Sequence, residues 1–179
     1  MARQAEASRR SELSLIARSD ISLVVSPLEQ QLLQRDMPDS RIELLSNIHA
    51  IHGRRRPYAG RRDLVFIGGH GHPPNGDAIR WLAEQILPRL RQDFPDLRIH
   101  VLGDMPEKAR RELSSPGLEL HGRVQDLGPW LDSCLASIAP LRFGAGVKGK
   151  INMAMSYGVP VIATAVAVEG MQLHDGVEF

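Results

Sequence analysis

The sequence predicts an α/β fold, a Rossmann-like doubly wound parallel sheet, in its second part. Short apolar segments, partly β-branched and closed by turn residues, alternate five times with segments of helical periodicity. Parallel strands need long crossover connections, and helices on both faces of the sheet supply them. The predicted strands are 63–69, 98–104, 118–124, 136–142 and 160–166.

Helical periodicity is strongest between the first two of these strands. Apolar residues recur there at helical spacing, namely Ile79, Leu82, Ile86, Leu87 and Leu90. Pro88 inside this pattern predicts a kink near its middle, because proline lacks the N–H that a helix needs. Weaker patterns predict helices over 105–115, 126–134 and 147–158.

The first sixty residues have a different organisation. They predict a polar helix over 3–18, a strand over 21–26, a Ser-Pro capped helix over 26–36 and a strand over 41–47. Two such β-α units are too few to bury both faces of a sheet. Residues 1–47 are therefore interpreted as the tail of an N-terminal domain.

A basic segment without periodicity, residues 48–62, follows and is interpreted as an interdomain linker. Residues 63–179 then form the main domain. The chain ends on "DGVEF" (175–179), which predicts a strand without a closing helix. The chain is therefore expected to be a piece of a longer protein, with the main domain truncated at its C-terminus.

Composition excludes several function classes. Twenty-two Lys and Arg residues against 21 Asp and Glu residues give a net charge of +1, so no global field attracts nucleic acid. The one cysteine, Cys134, cannot form an internal disulfide and is expected to be a packed core thiol. No apolar run approaches the roughly 20 residues of a membrane span, and the polar start is unlike a secretion signal. The expected location is the cytoplasm.

The stretch "PLRFGAGVKGKIN" places a glycine-rich bend just after the fourth predicted strand. In doubly wound sheets ligands bind at the carboxyl ends of strands, where glycines and the free amides of a following helix favour an anion. The residues expected to hold a diphosphate are Gly144, Ala145, Gly146, Val147, Lys148 and Lys150. A tight turn with merely solvated lysines is the alternative.

A second glycine cluster, "FIGGHGHPPNGDA", follows the first strand of the main sheet. It fails as a dinucleotide fingerprint, because Pro74 stands where the third glycine belongs. His70 and His72 have no third ligand at a recognisable spacing, so no metal site is predicted. The loop is instead expected to line a ligand cleft through Gly69, His70, His72 and Asn75. No nucleophile elbow or P-loop is present, and no catalytic residue is assigned.

Three segments together resemble the nucleotide-sugar-binding half of a GT-B glycosyltransferase close to family 4. They are "FIGGHGHPPNGDAIRWLAEQILPRL", "HGRVQDLGPWLDSCLASIAPLRFGAGVKGKINMAMSYGVPVIAT" and "AVEGM". Each segment is weak alone, and their order makes the resemblance specific. It covers residues 20–179, with "VSPLEQQLL" and "IELLSN" resembling the end of the family's acceptor domain.

The resemblance implies two facing Rossmann-like domains and sugar transfer with retention, without a metal and without a cofactor besides the nucleotide-sugar donor. By the same resemblance the loop of residues 144–148 cradles the donor diphosphate. The segment from Val124 through Asp126 to Leu127 meets the base, and Glu169 and Gly170 lie beside the cleft. A hexosyltransferase acting on a glycan or lipid-linked acceptor in surface polysaccharide synthesis is expected, with this chain alone inactive. Peripheral membrane association through missing regions stays open.

Two departures from the family pattern affect this interpretation. Ala145 and Met153 stand where the family commonly has two glutamates, the second of which holds the ribose. His70 and His72 replace basic residues that often follow the first strand. Altered donor contacts are favoured. The alternatives are a catalytically degenerate binding or scaffolding module and a GT-B nucleotide-sugar epimerase, which would need carboxylates not found here.

Overall fold

The chain divides into two compact units, Met1–Ile48 and His49–Phe179. A computed structural model describes residues 2–177. The interpretation of residues 1–47 as an acceptor-side tail and of 48–62 as a linker stays a prediction. Within the described residues no helix is long and apolar enough to cross a bilayer.

The first unit contains two helices and two short strands. They are α1 (Ala2–Ile16), β1 (Ser22–Val24), α2 (Pro27–Asp36) and β2 (Ile42–Leu44). The strands pair in parallel, with Ser22 opposite Ile42. Ser26 caps α2 as predicted, since its Oγ accepts a hydrogen bond of 3.2 Å from the amide of Glu29.

The second unit contains a five-stranded parallel sheet, which confirms the predicted fold class. Its strands are β3 (Leu64–Ile67), β4 (Ile99–Leu102), β5 (Leu118–Gly122), β6 (Ala136–Ala139) and β7 (Val161–Ala163). Their spatial order is β5-β4-β3-β6-β7. The chain first winds outward from β3 to β5 and then returns to β6. Ligand crevices of such sheets lie where the winding reverses, here beside β3 and β6.

Helices of the second unit connect these strands, and the last helix follows the last strand. They are α3 (Pro73–Trp81), α4 (Leu87–Asp93), α5 (Glu107–Glu112), α6 (Gly128–Ser133), α7 (Gly149–Ser156) and α8 (Ala165–Val168), with a 3₁₀ turn at Tyr58–Gly60. With this strand order, the rule that parallel crossovers are right-handed assigns α3 to α5 to one face of the sheet and α6 and α7 to the other. The central strand β3 is buried, and Val65 and Phe66 are 0% exposed.

The predicted kink at Pro88 takes the form of a π-helical segment, Leu82–Ile86, that joins α3 to α4. Pro88 has no N–H to donate to the carbonyl four residues earlier, and its ring crowds that carbonyl. The hydrogen-bond ladder therefore widens just before the proline. Leu82, the first residue of this segment, and Leu87, the residue that follows it, are both 0% exposed, so the apolar face continues through it.

The C-terminal part departs from the prediction in two places. The strand predicted over 160–166 ends at Ala163, because Thr164 starts α8 by accepting a hydrogen bond of 3.3 Å from the amide of Ala167. The strand predicted over 175–179 is wrong for residues 175–177, which form a turn. Residues 178 and 179 lie outside the described part.

Residues 49–57 of the second unit run along α7. The amides of His52 and Gly53 donate to the carbonyl of Ser156 at 2.9 and 2.8 Å. The imidazole of His52 stacks on the ring of Tyr157, with the ring centres 4.3 Å apart. Periodicity could not reveal these contacts, because the segment has no regular structure of its own. They fix the C-terminal end of the helix whose other end carries the lysines described next.

Candidate functional site

The loop between β6 and α7 lies at the carboxyl edge of the sheet and bends sharply. Its backbone has φ values of +131° at Gly144 and +76° at Gly146, a region that side-chain-bearing residues rarely adopt. Lys148 is the N-cap residue just before α7, and its Nζ donates to the carbonyl of Gly146 at 2.5 Å. No side chain among the described residues caps this helix start. The amide of Ile151 donates to the carbonyl of Lys148 at 2.9 Å, which leaves the amides of Gly149 and Lys150 at the start of α7 for another acceptor.

Lys150 lies in the first turn of α7 and points into the protein. Its Nζ donates to Asn75 Oδ1 at 2.6 Å and lies 4.7 Å from the centre of the Phe66 ring. Burial, with a smaller contribution from the charge of Lys148, lowers the pKa of Lys150 to about 8. The alternative of a solvated lysine is therefore wrong for Lys150.

Lys148 shares this environment with an acidic neighbour. Burial lowers the pKa of Lys148, and the carboxylate of Glu169 acts in the opposite direction. The more deeply buried ammonium group of Lys150 and the partly buried ammonium group of Lys148 thus lie beside the start of α7, an arrangement that favours a multiply charged anion.

A cavity of about 390 Å³ opens between the loop after β3 and the loop after β6. These are the two strands beside which the winding reverses. Both lysines contribute to its wall, which is formed by His72, Pro73, Pro74, Asn75, Leu141, Gly144, Ala145, Lys148 and Lys150. The two loops approach closely here, because a Cβ on Gly144 would lie 3.3 Å from Pro74 Cγ.

A second cavity of about 260 Å³ lies beside the first along the same edge. Its wall is formed by Ile67, Gly68, Gly69, Leu102, Gly103, Asp104, Arg123, Val124 and Leu127. Gly68 in the wall of this cavity lies directly beside Asn75 in the wall of the first cavity. A Cβ added to Gly68 would lie only 2.7 Å from Asn75 Cγ. The structure thus brings the segment of Val124 and Leu127 to the carboxyl edge that also carries the glycine loop.

An ion pair that sequence reasoning missed fastens the loop after β6 to α3. Arg142 donates through Nε to Asp77 Oδ2 at 2.8 Å and through Nη2 to Asp77 Oδ1 at 2.5 Å. This hydrogen bonding lowers the pKa of Asp77. The guanidinium also lies 5.2 Å from the centre of the Trp81 ring. The sequence does show Arg142, as the last residue of the motif "P-L-R". No residue near it in the sequence indicates that Asp77 is its partner.

The remaining predicted residues of the first loop have structural contacts. The amide of His70 donates to the carbonyl of Asp104 at 2.8 Å, and Asn75 donates to the carbonyl of Gly69 at 3.2 Å. His72 precedes α3 and contributes to the wall of the larger cavity. Within the described residues no group of three His, Cys, Asp or Glu residues could hold a metal ion.

The other predicted positions are more scattered. Asp126 Oδ1 accepts from the amide of Gly128 at 2.8 Å and so orders the start of α6. Val147 is half-buried in the loop before Lys148, and Gly170, with φ of +77°, follows Glu169.

Met153 is half-buried on α7 and packs against the hydrophobic core. Cys134 is 1% exposed, and burial raises its pKa to about 11, as expected of a core thiol.

Solved structures of several glycosyltransferases are similar to this chain. TarM of S. aureus matches with a TM-score of 0.74 and 14% identity over 89% of this chain and 33% of TarM. The pneumococcal O-GlcNAc transferase GtfA, solved with UDP and GlcNAc, matches with a TM-score of 0.68 and 15% identity over 87% of this chain and 32% of its own. HepE of Anabaena, solved with UDP and glucose, matches with a TM-score of 0.68 and 16% identity over 92% of this chain and 50% of HepE.

These likenesses show the fold, that of the GT-B glycosyltransferases. The chain spans about a third of the length of TarM and GtfA and half that of HepE. No curated protein matches the chain. The model of the family described as glycosyl transferases group 1 matches residues 61–178, which is more than half of the chain. The chain therefore belongs to the glycosyl transferases group 1 family.

Proposed function

We propose that this chain carries the donor-binding half of a hexosyltransferase and holds the diphosphate of a nucleotide sugar between its glycine loop and α3. The observation that carries the proposal is the pair of lysines, Lys148 and Lys150, on the wall of a cavity beside the two strands where the winding of the sheet reverses. Two ammonium groups and a free helix start match the charge of a diphosphate.

The chemistry of sugar transfer gives these groups a role. The leaving group is a nucleoside diphosphate, whose negative charge grows as the bond to the sugar breaks. Preorganised donors in a water-poor cleft stabilise that charge. Lys148, Lys150 and the first amides of α7 would act in this way without a metal ion. We further propose that Val124 and Leu127 lie towards the base.

The acceptor side is proposed from the resemblance alone. A glycan or lipid-linked acceptor, retention of configuration, a cytoplasmic location and a role in surface polysaccharide synthesis fit the family. TarM, GtfA and HepE, whose structures contain UDP, support a nucleoside-diphosphate donor. Because the chain spans about a third of TarM, we expect it to bind the donor without transferring the sugar.

Calorimetric titration of the chain with UDP, GDP, ADP and dTDP, in EDTA and again in Mg²⁺, tests the proposal. We expect binding of at least one nucleotide without metal. Lys150→Met should weaken it at least tenfold. The sequence contains three lysines, and Lys108, whose side chain is 88% exposed, supplies the matched control Lys108→Met.

Failure of all four nucleotides to bind a folded chain would refute donor binding, and strictly Mg²⁺-dependent binding would refute the metal-free site. Transfer of sugar by this chain alone would refute the expected need for an acceptor half.

A second function, a non-catalytic donor-binding module, is favoured by Ala145 and Met153 in place of the family's acidic pair. Both candidates predict nucleotide binding. A full-length protein that binds a nucleotide sugar but neither transfers nor hydrolyses it would favour the module, and turnover would favour the enzyme.

A further inference from the structure

Asn75 connects the two loops that form the larger cavity. It lies in the first turn of α3 with 9% of its surface exposed. Its Nδ2 donates to the carbonyl of Gly69 at 3.2 Å, and its Oδ1 accepts from Lys150 Nζ at 2.6 Å. A carbonyl can only accept and an ammonium can only donate, so these two partners fix the orientation of the amide.

The space for this contact depends on a glycine in the neighbouring loop. A Cβ on Gly68 would lie 2.7 Å from Asn75 Cγ and 2.8 Å from Lys150 Nζ. Two prolines, Pro73 and Pro74, immediately precede Asn75 and restrict the backbone at the start of α3. The amide is thus held on a rigid turn, with its oxygen directed at the lysine.

The chemistry of an amide suits this position better than that of a carboxylate. Asparagine accepts one hydrogen bond from the ammonium without cancelling its charge, and an ammonium has three donors. Aspartate at the same place would pair with the lysine and repel a diphosphate in the adjoining cavity.

We propose that Asn75 is a positioning residue that holds the charged Lys150 ammonium at the cavity wall and leaves its remaining donors for the diphosphate. This inference rests on the proposed function. Asn75 acts through Lys150, so its effect on ligand binding should vanish when Lys150 is absent.

The first arm of the test needs no ligand. In the chain with ¹³C-labelled lysines, NMR titration follows three Lys side chains, and Lys150→Met identifies the signal of Lys150. Lys150 should titrate near its pKa of about 8 in the wild type. Asn75→Asp, which preserves size, should move the titration of Lys150 upward by at least one pH unit. Asn152→Asp adds the same charge two residues from Lys150 on α7 and should shift it much less.

The second arm measures the affinity of the tightest-binding nucleotide diphosphate. At pH 7 Asn75→Leu and Asn75→Asp should each weaken it about tenfold or more. In the background of Lys150→Met, Asn75→Leu should cause less than a twofold further loss, because the group it positions is gone. A residue with a merely structural role would weaken binding equally in both backgrounds.

The outcomes separate the inference from the proposed function. An unchanged Lys150 titration in a folded Asn75→Asp variant overturns the inference whether or not nucleotides bind. Additive losses in the double variant, or wild-type affinity in Asn75→Leu, also overturn it while donor binding stands. A shifted titration without nucleotide binding in the wild type rejects donor binding, and with it the role of Asn75 towards a diphosphate. Should Asn75→Leu fail to fold, Asn75→Asp and Asn75→Ser serve in its place.

Discussion

The ammonium of Lys150 lies 4.7 Å from the centre of the ring of Phe66, a completely buried residue of the central strand β3. The aromatic face and the oxygen of Asn75 replace part of the water that the charge has lost. They do not replace all of it, because burial still lowers the pKa of Lys150 to about 8. The free protein therefore holds a charge that destabilises it, and a bound anion would relieve that cost.

The first prediction concerns stability at alkaline pH. The folded-state pKa of Lys150, about 8, lies below the ordinary lysine pKa of 10.5, so the unfolded chain binds more protons between these two values. The contribution of Lys150 to the free energy of unfolding should rise as pH rises from 8 to 10.5, by up to about 3 kcal/mol.

Urea denaturation of the wild type and of Lys150→Met at each pH gives the free energy of unfolding of both proteins. The difference between the two values measures the contribution of Lys150. Cys134, whose pKa burial raises to about 11, changes stability in the opposite direction in this range but is common to both. A constant difference across the range would show that Lys150 has an ordinary pKa.

The second prediction concerns nucleotide affinity. A diphosphate binds the charged form of Lys150, and that form is lost from the free protein as pH rises through about 8. Affinity should fall several-fold to about tenfold between roughly pH 7.5 and 9.5. Calorimetry in buffers of matched ionic strength measures it. Lys150→Met should bind weakly with a nearly flat profile, and a flat wild-type profile would contradict the role of this charge.

Local patterns were sufficient to predict the order of strands and helices. Hydrophobic periodicity, the Ser26 cap and the interruption at Pro88 depend on neighbouring residues, and all three were predicted. Strand ends were predicted too long because apolar runs continue into turns. At Thr164, for example, a side-chain hydrogen bond starts α8 within the predicted strand.

The contacts of the candidate site could not be predicted in the same way. Lys150 meets Asn75 across 75 positions of sequence, and Arg142 meets Asp77 across 65. Tertiary packing alone decides which polar groups meet across such separations. The glycine loop thus identified the place, whereas the burial of one lysine and the pairing of Arg142 needed the fold.

The third prediction concerns acid stability and a histidine pair on the sheet. His100 Nδ1 and His121 Nε2 are 3.0 Å apart, and His100 Nε2 is 3.4 Å from Asp63 Oδ2. Trp130 packs on His121, with the ring centres 4.3 Å apart. Burial, followed by the charge of His100, lowers the pKa of His121, while Glu119 opposes and Arg110 adds to this shift.

Because the folded protein then binds fewer protons than the unfolded chain, stability should fall as pH decreases below the ordinary histidine pKa of about 6.5. His121→Gln should reduce this fall, measured by denaturation midpoints from pH 7.5 to 5. His174→Gln, which replaces an exposed histidine, is the control. Parallel midpoint curves for wild type and His121→Gln would contradict the prediction.

The last prediction tests the position where the family commonly has a ribose-binding glutamate. Met153 is half-buried, packs against the core and is absent from the walls of both cavities described here. A carboxylate placed there would lose water without gaining a described partner. Met153→Glu should therefore lower the free energy of unfolding by about 1–3 kcal/mol and leave nucleotide affinity unimproved. Asn152→Glu, on a half-buried polar residue of the same helix, controls for the added charge. Unchanged stability with tighter binding would show instead that this face of α7 meets the ribose, and that a single substitution restores the family's contact.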